Sequence, residues 1–318
     1  MAPPWWQARR AYGIRHGTPT SQSPTPANLG GTHVTGNDVY RQLQSAARSV
    51  AAKQGVPAPT EEYLIRHALE SFLDRLNRTP HARDFVLKGG ILLGAYGVRR
   101  PTKDADSNAI GAEVSPEHLA HVVRDAAEVE VDDGVEFDLD TLTVHEIRDG
   151  AEYPGVRLRV KVAISSWRGT VAWDVSTGDP IVPAPREVTL DRILGAPITL
   201  IGYAPESTVA EKGVTILERG ITSTRWRDYV DIVALGGAGL DAEALLESVR
   251  AVSDYRGIEL KPITPLLDGY GAVGQSKWAA WRRKEKLEAV CEENLDEQII
   301  RVAAILDPIF SRGAGSLA

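Results

Sequence analysis

The run FVLKGGILLGAYGVRRPTKDAD, Phe85 to Asp106, constrains the chain more than any other feature: an apolar strand, a glycine pair, a short helix-like run, a basic turn, then two acids one residue apart. A Gly-Gly turn that opens a helix lets backbone N–H groups approach an anion closely, and the helix N-terminus favours negative charge there. Gly89 and Gly90 are placed to form such a cradle for a triphosphate, with Ile91 to Tyr96 as the helix behind them. Carboxylates at i and i+2 of a strand point the same way, so Asp104 and Asp106 can chelate Mg2+ through hard oxygen ligands. Phosphate holding and cation placement are the main tasks a protein performs in phosphoryl-type transfer. A third carboxylate has to come from another strand with apolar flanks, and AWDV offers Asp174.

The 318 residues, 43% hydrophobic and 25% charged, suffice for one large domain or two of ordinary size. Cys291 is the lone cysteine, which excludes an intrachain disulfide or a Cys-based zinc site, fits a reducing cytoplasm, and suggests a packed core residue. With no run of about 18 apolar residues and no signal-peptide core in MAPPWWQARRAYGIRHGTPT, the expectation is a cytoplasmic protein without membrane contact. A net charge of −7 argues against indiscriminate coating of nucleic acid. Local basic faces remain open to RNA: Arg99, Arg100 and Lys103; Arg157 to Lys161; Arg219, Arg225 and Arg227; and WRRKEK from Trp281 to Lys286.

Along the chain, residues 17–36 are rich in Pro, Ser, Thr and Gly, and positions 1–36 read as a flexible arm carrying Trp5 and Trp6. Amphipathic helices are expected from Asn37, ending at Gly55, and from Thr60 as N-cap, then from Pro116 behind a Ser115 cap. VEFDLDTLTVHEI, VRLRVKVAI and GTVAWDVSTG alternate with period two and read as strands. The same alternation sends most of the carboxylates between Glu128 and Asp140 to solvent. PIVPAPREVTL reads as a boundary, after which five helical patterns follow, including QSKWAAWRRKEKLEAVCEEN. The reading is α/β (α+β), with two leading helices and a mixed-sheet core over 37–195 and a helical domain over 196–318.

A glycine pair, then Asp-x-Asp, then an apolar-Asp-apolar strand, in this order, resembles the nucleotidyltransferase superfamily of polymerase-beta-like fold. VLKGGILLGAYGVRRPTKDAD, WDVSTGDPI, YAPESTVAEKGVTILERG with its Ala-Glu-Lys, and STRWRDYVDI with its Arg-x-Arg-Asp-x-x-Asp are similar to the motifs of the AbiEii/MenT nucleotidyltransferase toxins, over roughly Phe85 to Val233. The resemblance implies that Lys88, Gly89 and Gly90 form the nucleotide loop, and that Asp104, Asp106 and Asp174 hold Mg2+. It also implies that Lys212 contacts the nucleotide phosphates and that Asp228 orients Lys212 or completes the site. Asp231 reads as structural, Asp179 as a turn residue beside Gly178, and SNAI after the acid pair is more polar than a strand continuation should be.

The resemblance further implies transfer of a nucleotidyl group from NTP to an RNA acceptor, the tRNA 3′ end first among them, with the nucleotide in a cleft between core and helical domain. A cognate antitoxin and a role in phage defence or growth control come with it. Two rivals stay open. One is a nucleotidyltransferase that modifies a small molecule or a protein; the other is a non-catalytic nucleotide-binding module, against which the joint presence of Asp104, Asp106 and Asp174 speaks.

Overall fold

The structure, a computed structural model, describes residues 35–54, 57–147 and 155–314. Nearly all of the expected arm, with Trp5 and Trp6, lies outside them, as does Gly55. The described chain folds into two compact units that interleave in sequence. The first draws on residues up to Val86, Lys103–Thr177 and Asp191–Ile198; the second on Leu87–Thr102, Gly178–Leu190 and Thr199 onward.

In the first unit, α1 (Gly36–Gln54) starts one residue before Asn37. Thr35 and Asp38 cap it reciprocally: the Asp38 N–H donates to Thr35 Oγ1 at 3.2 Å, and the Thr35 hydroxyl donates to Asp38 Oδ2 at 2.6 Å. In α2 (Thr60–Asn77), Thr60 is already helical rather than capping; Pro59 holds the N-cap position without a side-chain bond. α2 buries Leu64, Leu69, Phe72 and Leu73, and a 3-10 turn, Pro80–Arg83, leads into β1 (Phe85–Lys88). β2 spans Ala105–Ala109. The short helix α3 (Gly89–Leu92) and the 3-10 turn after it lie between these two strands and belong to the second unit. A helix over Pro116–Glu128, α4 in chain order, has Ser115 at its cap as expected, its Oγ accepting from the His118 N–H at 3.3 Å.

The three expected strands form as β3 (Glu136–Ile147), β4 (Gly155–Ile164) and β5 (Trp167–Ser176). They make an antiparallel meander, and β2 joins β5 in parallel, so the order is β3-β4-β5-β2 and then β1. One face of β4 and β5 is core: Val156, Leu158, Val160 and Val162 are buried, as is Trp173, whose ring meets Phe85 edge-on and Phe72 at a tilt. The polar SNAI has a packing reason. Ser107 is buried and its Oγ accepts from the Trp173 indole N–H at 3.0 Å, so the strand continues by pairing its polar atom.

The acidic stretch between Glu128 and Asp140 holds one buried carboxylate. Asp133 does not face solvent; it is buried, with Arg75 Nη1 and Nη2 donating to its two oxygens at 2.6 and 3.0 Å.

The second unit contains two strands that the proline-rich boundary hid, β6 (Arg186–Leu190) and β7 (Ile198–Gly202). Their order is β1-β7-β6, with Leu87 opposite Gly202 in parallel register. Five helices follow: α5 (Pro205–Arg219), α6 (Trp226–Gly237), α7 (Ala242–Arg256), α8 (Tyr270–Glu285) and α9 (Leu295–Ala314). They close on a core that includes Val209, Tyr229, Trp278, Leu306 and Phe310. α8 begins five residues earlier than its sequence pattern and stops at Glu285, where Lys286 turns left-handed at φ 57°. Cys291, beyond that stop, is buried as expected. Asp179 is no simple turn residue, because Arg256 donates to both its oxygens at 2.9 and 2.7 Å.

Candidate active site

The acids of the first unit form a row. Asp106 on β2 stands opposite Asp174 on β5, and Asp174 stands opposite Arg157 on β4, so neighbouring strands present the three side chains on one face of the sheet. Asp104 precedes β2 by one residue and shares the parity of Asp106. This is the face opposite the apolar core, and Arg159 and Lys161 continue it as exposed residues along β4.

Arg157 grips Asp174 as a planar fork: Nε donates to Oδ1 at 2.7 Å and Nη2 donates to Oδ2. These bonds raise the guanidinium above its ordinary value; partial burial opposes them, and the charges of Asp174, Asp104 and Asp106 reinforce them. Among the described residues, no three His, Cys, Asp or Glu side chains are arranged to hold a metal ion. The donor chemistry nevertheless suits Mg2+ at Asp104 and Asp106, hard carboxylate oxygens two residues apart at the start of β2. Asp174 lies in the same row, with both its oxygens engaged by Arg157.

The glycine loop lies in the second unit. Gly89 has φ 71°, a left-handed conformation that disfavours side chains. A Cβ on Gly90 would come within 2.7 Å of Thr102 Oγ1 and 3.0 Å of Arg100 Nη1, so the basic turn ahead of Asp104 is folded onto the glycine pair. The helix behind is shorter than expected: α3 is only Gly89–Leu92, and the chain tightens into a 3-10 turn over Leu93–Tyr96 before Gly97 ends it at φ 73°. Lys88 leans over the Tyr203 ring, 5.6 Å from its centroid, and its Nζ reaches Glu211 Oε2 at 3.4 Å.

Lys212 and Asp228 meet directly. Lys212 Nζ, on α5, donates to Asp228 Oδ1 on α6 at 2.6 Å, and Arg225 Nε holds the other Asp228 oxygen at 2.8 Å. Asp231 bridges two cations in the same cluster. One of its oxygens lies 3.0 Å from Lys212 Nζ, while Arg100 Nε and Nη2 donate to its two oxygens at 2.6 and 2.9 Å. The result is a ladder of alternating charge, Arg225–Asp228–Lys212–Asp231–Arg100, whose central lysine side chain is 14% exposed. Burial alone would push the Lys212 ammonium down, but Asp228 and Asp231 outweigh it and hold it at about 12. Burial likewise opposes ionisation of the two aspartates, and Lys212, with Arg225 beside Asp228 and Arg100 beside Asp231, keeps both below the usual carboxylate range.

Sequence reasoning named Asp231 and Arg157 but did not pair them, Asp231 with Lys212 and Arg100 and Arg157 with Asp174, nor did it pair Glu211 with Lys88. The spacing of Asp228 and Asp231, three apart on one helix, puts both on one face and was the available signal. Several residues considered for an RNA face are paired instead: Arg100 with Asp231, Arg225 with Asp228, and Arg227 with Glu285. Arg282 is buried and donates to the Glu288 and Cys291 carbonyls, which pins the turn after α8.

Comparison with solved structures places the fold beside MenT4, a nucleotidyltransferase toxin of Mycobacterium tuberculosis H37Rv. The TM-score is 0.51 at 17% identity, covering 88% of this chain and 93% of that one. JHP933 from Helicobacter pylori aligns with a TM-score of 0.45 at 15% identity, over 80% of this chain and 93% of that one. No curated protein matches the sequence significantly. The family model described as the nucleotidyl transferase AbiEii toxin of type IV toxin–antitoxin systems matches residues 71–301, a span holding the glycine pair, all three row acids and the whole charge ladder. The chain belongs to the AbiEii nucleotidyltransferase toxin family.

Proposed function

We propose that this nucleotidyltransferase moves a nucleotidyl group from an NTP to a hydroxyl of RNA, the 3′ end of tRNA being the acceptor. In this reading the acceptor oxygen attacks the α-phosphorus and loses its proton, the bond from that phosphorus to the bridging oxygen breaks, and pyrophosphate leaves. Mg2+ held by Asp104 and Asp106 would supply charge neutralisation at the reacting phosphate. Blocking a tRNA end arrests translation, which is the toxic act of a toxin–antitoxin pair with a cognate antitoxin and a part in phage defence.

The observation that carries the proposal is the row of Asp106, Asp174 and Arg157 on an open sheet face that continues into exposed Arg159 and Lys161. Hard carboxylate oxygens beside basic side chains suit a polyanionic acceptor better than a small neutral one. Lys212 supports the nucleotide half. Two of its three ammonium donors are directed at Asp228 and Asp231, and in this reading the third donates to a phosphate oxygen.

The test is incubation of the purified protein with total tRNA, Mg2+ and each α-labelled NTP in turn. Label appearing on tRNA with one or more nucleotides, and lost when EDTA is added, is the expected result. Label on the protein itself or on a small acceptor, with tRNA unmodified, would overturn the choice of acceptor. Absence of pyrophosphate release with every acceptor would overturn the transfer.

A further inference from the structure

Arg157 and Asp174 are brought together by the backbone as well as by their charges. They stand opposite each other in an antiparallel pairing of β4 with β5 that runs unbroken from Gly155 opposite Ser176 to Ile164 opposite Trp167. That register keeps the two side chains neighbours on one face of the sheet whatever else binds there. Both Asp174 oxygens accept from the fork, the Nε bond at 2.7 Å, and the carboxylate side chain is left 15% exposed. On its other side Asp174 is in register with Asp106, and the charges of Asp104 and Asp106 also act on Arg157.

An isolated cross-strand ion pair on a sheet surface would contribute little and need no further account. This pair differs in its neighbours. Two carboxylates in register, Asp106 and Asp174, repel each other, and the guanidinium beside them offsets that repulsion. A divalent ion taking the Asp174 oxygens would sit against a guanidinium that already engages both. The repulsion then falls on the mobile cation, because the other is anchored in β4.

We infer that Arg157 is the fixed cation of the acid row: it neutralises Asp174, so that a divalent ion is held by Asp104 and Asp106 alone, and Asp174 is the positioning residue of the guanidinium rather than a ligand. This rests on the Mg2+ part of the reading above and narrows it to a single ion held by the protein. The guanidinium gives the Asp174 end of the row a positive charge that does not depend on the concentration of any ion.

The experiment is Mn2+ binding to the full chain without nucleotide, counted from the electron paramagnetic resonance signal of the free ion, with melting temperatures recorded beside it. Wild type should bind one ion. Asp104→Asn and Asp106→Asn should each weaken binding by roughly tenfold or more, through loss of a charged ligand. Arg157→Gln should tighten it by about tenfold, since it releases the Asp174 carboxylate and removes a positive charge. Arg157→Lys should stay near wild type, the charge being kept. Asp174→Asn strips Arg157 of its counter-charge and should weaken binding less than loss of either ligand. The deciding protein combines Arg157→Gln with Asp174→Asn, which removes the pair as a whole and leaves two amides able to hydrogen-bond across the strands. It should bind one ion with wild-type affinity. Arg157→Gln and Arg157→Lys decide the question if that double variant fails to fold.

Loss of Mn2+ binding in the double variant, with Asp104→Asn and Asp106→Asn impaired too, would make Asp174 a ligand and overturn this inference alone. Two ions on wild type, or unchanged affinity in Arg157→Gln, would also overturn it. No Mn2+ binding by wild type, or wild-type binding in both Asp104→Asn and Asp106→Asn, would remove the metal reading and this inference with it.

Discussion

Asp106 and Asp174 face one another in register on the parallel strands β2 and β5, although they stand 68 positions apart in the chain. Parallel pairing, not proximity in sequence, puts the two carboxylates side by side. Replacing Asp104 or Asp106 by Asn keeps the volume and removes a charged oxygen, so nucleotidyl transfer should fall to background with far-ultraviolet circular dichroism unchanged. Transfer at the wild-type rate in either variant would refute their assignment to Mg2+. Asp174→Asn should lose activity as well, and also free Arg157 from its fork.

Lys212→Ala should weaken NTP binding or turnover by more than about tenfold, and Lys212→Arg should restore little, because a planar fork cannot replace a compact ammonium set between two carboxylates. Melting temperature needs recording in parallel, since removing the lysine leaves Asp228 and Asp231 facing each other. Unchanged affinity and turnover would return Lys212 to a packing part.

If tRNA is the acceptor, its binding should weaken steeply with salt, log K falling linearly with log of the salt concentration. Arg159→Gln with Lys161→Gln should flatten that slope and leave NTP affinity unaltered, as should Arg283→Gln with Lys284→Gln on α8. All four residues are exposed. Arg282 belongs outside the test, because its substitution would release the Glu288 and Cys291 carbonyls. Filter retention across a salt series decides it, and slopes identical to wild type for both pairs would exclude these surfaces.

The charge ladder gives a defined pH response. Asp228 and Asp231 are held below the usual range, so their stabilisation is present above the unfolded value of about 3.9 and is lost as pH falls through their native values. Lys212, held at about 12, contributes fully below its unfolded value of about 10.4, and that contribution is lost as pH rises through about 12. Between roughly pH 5 and 10 the ladder's contribution should be flat. Urea midpoints for wild type should drop below about pH 4, whereas Asp231→Asn should start lower at pH 7 and change less on acidification. Parallel curves for the two proteins would contradict the pairing.

Local pattern carried most of the fold in the sequence. Period-two alternation marked β3, β4 and β5, and Ser115 with Pro116 marked a helix start, because each signal lies within a few residues of what it specifies. β6 and β7 were hidden for the opposite reason: they are five residues each, flanked by prolines and glycine, and β7 exists through pairing with β1, over a hundred residues earlier. The same divide runs through the site. The motif acids and Lys212 could be named from spacing and resemblance, while Arg157 on Asp174 and Arg100 on Asp231 are long-range pairs that no window of sequence contains. Arg282 misled because a run of basic residues on a helix gives no sign of which member turns inward.

The interleaving of the two units sets the order in which a growing chain acquires its parts. Once Asp174 has left the ribosome the acid row is complete in sequence, yet Lys212, Asp228 and Asp231 have still to be made, and the last helix of their unit ends at Ala314. A nascent or prematurely terminated product therefore carries the acids without the lysine ladder. The sheet that carries the acids is thus encoded ahead of the helices that carry the ladder, and the two charged clusters coexist only in a chain that has been extended well past Asp231.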